Sequence, residues 1–328
     1  MLKKPEMFIE AECGRGKKLI IQILIFVAVF MVSSTLQSIL PSIYLIIEMV
    51  KDLAGYEGAM DEAAIEEIME SLMAVQFQRP YLLITLFVTI FGILVPVIFC
   101  RFIEKRPLTS MGFKKKHAVR DYLIGLLIGF AMFSAVVLIN VLTKSMTFEG
   151  LNKNLTGVSI AFIALFFVGF VIQGASEEVI IRGYFMTSMG SKHNIWLAVI
   201  ISSVAFGLFH IGNPGFGIIA FINIVLIGIL FGLYIICFDN IWGACALHSI
   251  WNFVQGNFYG VPVSGLSMSD TVFVTTVNED MKLINGGSFG AEGGLATTIV
   301  QLLCIGGLLL YMKKTGKFVS KNKAEVQG

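Results

Sequence analysis

The chain has 328 residues, 56% of them hydrophobic and only 14% charged, with a formal net charge of +2. An average soluble domain carries about 25% charged residues, so this composition argues against a soluble globule and for a polytopic membrane protein. The small net charge says little about partners beyond the lipid bilayer, and no nucleic acid is expected among them.

Apolar runs of about 20 residues suffice to cross a hydrocarbon core of ~30 Å. In chain order such runs fall near 19–47, 81–100, 122–143, 158–187, 195–211, 216–238, 240–258 and 293–312. The fold expected is all-α: a transmembrane helical bundle of about eight spans, with residues 1–328 as one membrane domain. Residues 1–18 are polar and the run that follows is too long for a signal-peptide core, so the first span is expected to persist in the mature protein. Pro41 and the cluster Ser33, Ser34 and Thr35 are expected to kink it. Residues 51–80 carry Asp52, Glu57, Asp61, Glu62, Glu66, Glu67 and Glu70 among apolar residues at helical spacing, which predicts an amphipathic surface helix capping the outer face. Residues 259–292 are rich in Gly, Ser and Thr and predict an irregular outer loop.

Lys and Arg in short loops are retained on the cytoplasmic side. They number five in 1–18, seven in 101–120, one in 188–194 and five in 313–328, against two in 48–80, two in 144–157 and one in 259–292. Both termini are therefore expected in the cytoplasm, and the cell membrane is the expected location. The cysteines Cys13, Cys100, Cys237, Cys245 and Cys304 are scattered without CxxC spacing and are read as packing residues.

The ionisable residues within apolar segments cluster between positions 177 and 248: Glu177, Glu178, Arg182, His210 and His248. A charge at the bilayer centre costs about 2.5–3.5 kcal/mol on insertion scales, so such residues are functional candidates by default. In GASEEVIIRGYF, Glu178 and Arg182 stand one helical turn apart in the favoured acid-before-base order and are expected to pair. Glu177 points about 100° away and is left for another partner, as a candidate general base. Phe206 and His210 share a face at the end of the fifth span, with Gly212, Asn213 and Pro214 expected to stop that helix just beyond the imidazole. His248 and Asn252 stand side by side at i and i+4 in the seventh span. Gln173 and Ser176 fit interhelical hydrogen bonding, while Gly174 and Gly183 permit close helix contact. At 1.5 Å per residue from the inner face, Glu177 falls at ~21 Å, His210 at ~28 Å and His248 at ~12 Å, so convergence requires tilted helices or a break near Gly174. A carboxylate, two imidazoles, an amide and a paired guanidinium in four successive spans have the makings of a hydrolytic site.

The ordered set EExxxR, FxxxH and HxxxN resembles the CPBP family of CAAX-processing and bacteriocin-processing (Abi-like) membrane proteins, which includes the type II CAAX prenyl endopeptidases. EEVIIRGYF, SSVAFGLFHIGN and IWGACALHSIWNF look like its three blocks, and the resemblance covers residues 158–258 as a catalytic core. It implies an intramembrane endopeptidase acting on a membrane-associated or lipidated, CAAX-like peptide. Glu177 and His210 would activate water, His248 and Asn252 would stabilise the oxyanion, and Glu178, Arg182 and Phe206 would support the site. Carboxylate, imidazole and amide groups suit those tasks on chemical grounds as well. Metal-independent catalysis is expected, although Glu177, His210 and His248 could instead form a three-ligand zinc site of a metalloprotease; HExxH spacing is absent. Two other readings stand: a non-catalytic bacteriocin-immunity or regulatory membrane protein, and a proton-coupled transporter, for which no repeated halves with broken helices are seen.

Overall fold

The computed structural model describes residues 2–16, 18–56 and 61–318. Lys17, Glu57, Lys321 and Lys323, which entered the charge pattern above, lie outside them. Among the described residues six helices are long and apolar enough to cross a membrane: α1 (Leu19–Gly55), α3 (Arg79–Ile103), α4 (Ala118–Leu142), α5 (Gly157–Lys192), α7 (Ile218–Phe238) and α9 (Leu295–Lys314). Between the first two lies α2 (Glu62–Val75), capped by the Asp61 carboxylate accepting from the Ala64 amide at 2.9 Å. This is the amphipathic helix expected of the acidic segment. The two remaining apolar runs form shorter helices, α6 (Ile195–Leu208) and α8 (Trp242–Phe253), the latter widening into a π-helical turn over Val254–Phe258. Every apolar run is thus helical, while six rather than eight of them have the length to span alone.

The fold is not purely helical. A strand β1 (Met146–Leu151) pairs antiparallel with β2 (Phe273–Val277), with a bulge between Phe148 and Gly150. Five residues of the irregular loop expected over 259–292 are thereby organised as a strand. Its TVFVTTV run is β-branched and aromatic, a composition that favours a pleated strand over coil.

α7 is the central helix: 61% of its apolar window is buried, against 22–33% in the other five spans, whose outer faces carry apolar side chains suited to lipid. It packs between α6 and α9, while α8 packs between α4 and α5. The first and last described residues meet, with an antiparallel bridge between Leu2 and Phe318 and the Lys3 amide donating to the Lys317 carbonyl at 2.8 Å. Both ends therefore share one face of the bundle. On that face the N-terminal turn Glu6–Glu10 is pinned by Lys114, whose ammonium bridges Glu6 and Asp239 at 2.6 Å each. The opposite face is closed by the β1–β2 pair and by Arg79 at the start of α3, which makes two hydrogen bonds of 2.7 Å to the buried carboxylate of Asp270.

Candidate active site

α5 runs without interruption past Gly174, so no break occurs there. Instead it widens into π-helical turns over Val179–Met186, immediately after the two glutamates. Such turns recur at functional sites. They also rise less per residue than an α-helix, which lowers Glu177 toward the level of His248. Gly174 matters because α8 crosses it closely: a Cβ there would stand 2.6 Å from the Ser249 backbone nitrogen. A side chain at 174 would push α8 away and separate His248 from the glutamates.

Glu178 and Arg182 pair as expected, Nη1 donating to Oε1 at 2.9 Å, with both side chains wholly buried. The same Oε1 accepts from His248 Nδ1 at 2.9 Å. Because a carboxylate only accepts, Nδ1 carries the hydrogen, and His248 Nε2 is turned toward Glu177 Oε2, 3.5 Å away. That separation is an electrostatic approach rather than a good hydrogen bond. The Nε and Nη2 groups of Arg182 meet no acceptor; its guanidinium lies over the rings of Phe206 and Phe231, 4.4 and 5.5 Å from their centroids. Attraction to the ring faces offsets part of the cost of burying that charge. Phe231 also stacks on His248 at 5.1 Å.

Phe206 and His210 meet edge-to-face at 4.8 Å. α6 ends at Leu208, two residues earlier than expected, and His210 sits in the turn that follows. Its Nδ1 lies 2.8 Å from the Phe206 carbonyl, so in the neutral ring that nitrogen carries the hydrogen and the lone pair is on Nε2. Asn252 donates from Nδ2 to Gln173 Oε1 at 2.9 Å, and Gln173 Nε2 donates to Glu177 Oε1 at 2.6 Å. Gln173 does bond across helices, as a polar residue in a span should, and it also orients the Glu177 carboxylate.

Glu177, His210, His248 and Asn252 all line one cavity of about 230 Å³ whose other walls are mostly apolar. A second cavity of about 250 Å³, between α1, α3 and α5, shares Glu177, Phe206 and His210 with the first. Glu177 and His210 therefore stand on the partition between two chambers. Among the described residues no hydrogen bond or ion pair joins Glu177 to His210.

No three His, Cys, Asp or Glu side chains among the described residues are grouped so as to hold a metal ion. The trio Glu177, His210 and His248 is not so grouped, although each imidazole donates from Nδ1, to Glu178 and to a backbone carbonyl, and so leaves Nε2 as the nitrogen a metal would take. The metalloprotease alternative finds no grouped ligand set among the described residues.

Residues 159–254 match the family model for type II CAAX prenyl endopeptidases, described as Rce1-like. The matched segment is Rce1-like. No curated protein matches the chain. The Rce1-like segment takes in all three motif blocks and runs from the start of α5 to the end of α8; α1 to α4 and α9 lie beyond it. Polar residues of the cavity wall also lie beyond it, Glu292 and Gln301 among them. Glu292 sits in a Gly-rich stretch that gave no signal in the sequence. Gln301 is an uncharged polar residue inside an apolar run, a pattern that could have singled it out.

Proposed function

We propose that this protein is an intramembrane endopeptidase that cleaves a membrane-associated or lipidated peptide by attack of water on the scissile carbonyl. The observation that carries the reading is the meeting, around one cavity within the bilayer-length part of the fold, of a carboxylate, two imidazoles and a carboxamide. Unpaired polar groups are too costly in lipid to be gathered without a use.

In this reading water sits between Glu177 and the unprotonated Nε2 of His210, which take up its proton as it attacks. Asn252 has one amide hydrogen engaged by Gln173 and the other free to donate to the developing oxyanion. For His248 to donate from Nε2 as well, its ring must carry both hydrogens. Glu178 on one side and Glu177 on the other supply the opposing charge. Glu178 and Arg182 act as positioning residues, since neither lines the cavity. The second chamber offers water a route to the partition that does not pass through the space the peptide would fill.

The test is cleavage of membrane-anchored peptides by the purified full-length chain in proteoliposomes, followed by mass spectrometry. Glu177→Ala, His210→Ala and His248→Ala should each remove cleavage per folded molecule. Wild-type rates in these variants would refute the assignment and favour a protein that only binds in the same cavity.

A further inference from the structure

The wall of the cavity also includes residues outside the Rce1-like segment, among them Ser264, Glu292 and Gln301. Glu292 is buried, and its carboxylate is held at one oxygen only, Oε1, which accepts from both the Ser264 amide and the Ser264 hydroxyl at 2.5 Å. Its backbone is fixed too, its carbonyl accepting from Asn223 Nδ2 at 2.8 Å. Gly290, two residues earlier, adopts φ +102°, and a Cβ there would collide with the Pro262 carbonyl, so the chain reaches this point by a route only glycine permits. Gln301, on α9, is 1% exposed, and its side-chain oxygen has no hydrogen-bond partner.

Two acceptor groups thus border one small, mostly apolar chamber without a matching donor. A buried acceptor left unpaired costs about 1–3 kcal/mol, which a ligand carrying the missing hydrogens would recover. Burial pushes the Glu292 carboxyl above the ordinary carboxylate range, against the pull of Ser264 and the two histidines. A cation arriving beside it would favour the ionised form. Glu177 also has one oxygen without a hydrogen-bond donor, but His248 Nε2 stands 3.5 Å from that oxygen, within reach of ion pairing.

We propose that Glu292 and Gln301 form a specificity subsite that receives a cationic nitrogen of the peptide in the cavity that the catalytic cluster also lines. That this ligand is a substrate rests on the peptidase reading above; that the subsite binds a cation does not. The experiment is titration of the detergent-solubilised full-length chain with benzamidine, and with uncharged benzyl alcohol as control, followed by ligand-observed NMR. Benzamidine should bind the wild type more tightly than benzyl alcohol. Glu292→Gln should weaken it about tenfold or more, and Gln301→Leu by a smaller factor in the same direction. Glu177→Gln should retain benzamidine binding. Equal binding to wild type and Glu292→Gln, loss only in Glu177→Gln, or no preference over benzyl alcohol would each overturn the proposal. With a cleaved peptide, norleucine in place of lysine lowers kcat/KM if the cation is a side chain, whereas acetylating the amino terminus lowers it if the cation is that terminus. In either case the discrimination should shrink in Glu292→Gln. If neither change matters, the subsite does not read substrate. Cleavage by Glu177→Gln at the wild-type rate would sink the catalytic reading alone, leaving the binding result intact.

Discussion

Two arginines are wholly buried in this bundle, and they are satisfied in different ways. Arg106 donates to Glu104 (3.1 Å), to the Ser110 hydroxyl (3.2 Å), to Ser188 (2.7 Å) and to Thr187 (3.1 Å), so each of its nitrogens has an acceptor. Arg182 makes a single hydrogen bond, to Glu178, and presents its other N–H groups to aromatic faces. Around Arg106 the polar groups close on themselves and leave nothing over. Around Arg182 the surplus extends: Glu178 Oε2 and Glu177 Oε2 also lack hydrogen-bond partners, and the cluster borders two cavities. A closed network belongs to a scaffold, while an open one next to a void is what a reaction site requires.

Mutations sharpen that contrast. The largest effect on rate is expected from His248→Ala, which removes the ring between the two glutamates: kcat per folded molecule should fall by about 10²–10⁴-fold, as measured in proteoliposomes. Asn252→Ala should lower kcat by about 10²–10³-fold, with KM nearly constant if its amide acts on the oxyanion alone. A matching rise in KM would place its role in ground-state binding instead. Arg106→Ala should do the reverse. Stranding buried Glu104 costs about 3–5 kcal/mol of stability, visible as a drop in unfolding temperature, while the rate per folded molecule stays near wild type. If Arg106→Ala instead lowers the rate without lowering stability, the division between scaffold and site fails. The smallest effect is expected from chelation: stripping metal from active enzyme should leave its rate unchanged. Loss of activity restored by zinc would revive the metal alternative.

Much of the site was legible because charges in apolar runs are rare and costly. Glu177, Glu178, Arg182, His210, His248 and Asn252 were each found by that signal or by their spacing. What spacing could not deliver was the partner of each nitrogen. His248 was expected to face the oxyanion with Asn252, yet one of its nitrogens is bound to Glu178, a link between α5 and α8 that no local pattern encodes. Depth along ideal helices separated Glu177 and His210 from His248, whereas the π-helical stretch of α5 lowers Glu177 and the early end of α6 leaves His210 in a turn at the same cavity. The strand pair was missed because Gly, Ser and Thr dominate residues 259–292 and mask the short β-branched run within them. Glu292 was invisible for a related reason: an acid beside a span end looks solvated until the loop folds inward.

The central claim is that the Glu177 carboxylate drives water onto a peptide bond. Its most direct test is single-turnover cleavage of a membrane-anchored peptide by wild type and Glu177→Gln, an exchange that keeps shape and removes the base. The account predicts peptide bound by both proteins and cut only by the wild type. Cleavage by Glu177→Gln at an unchanged rate would contradict it.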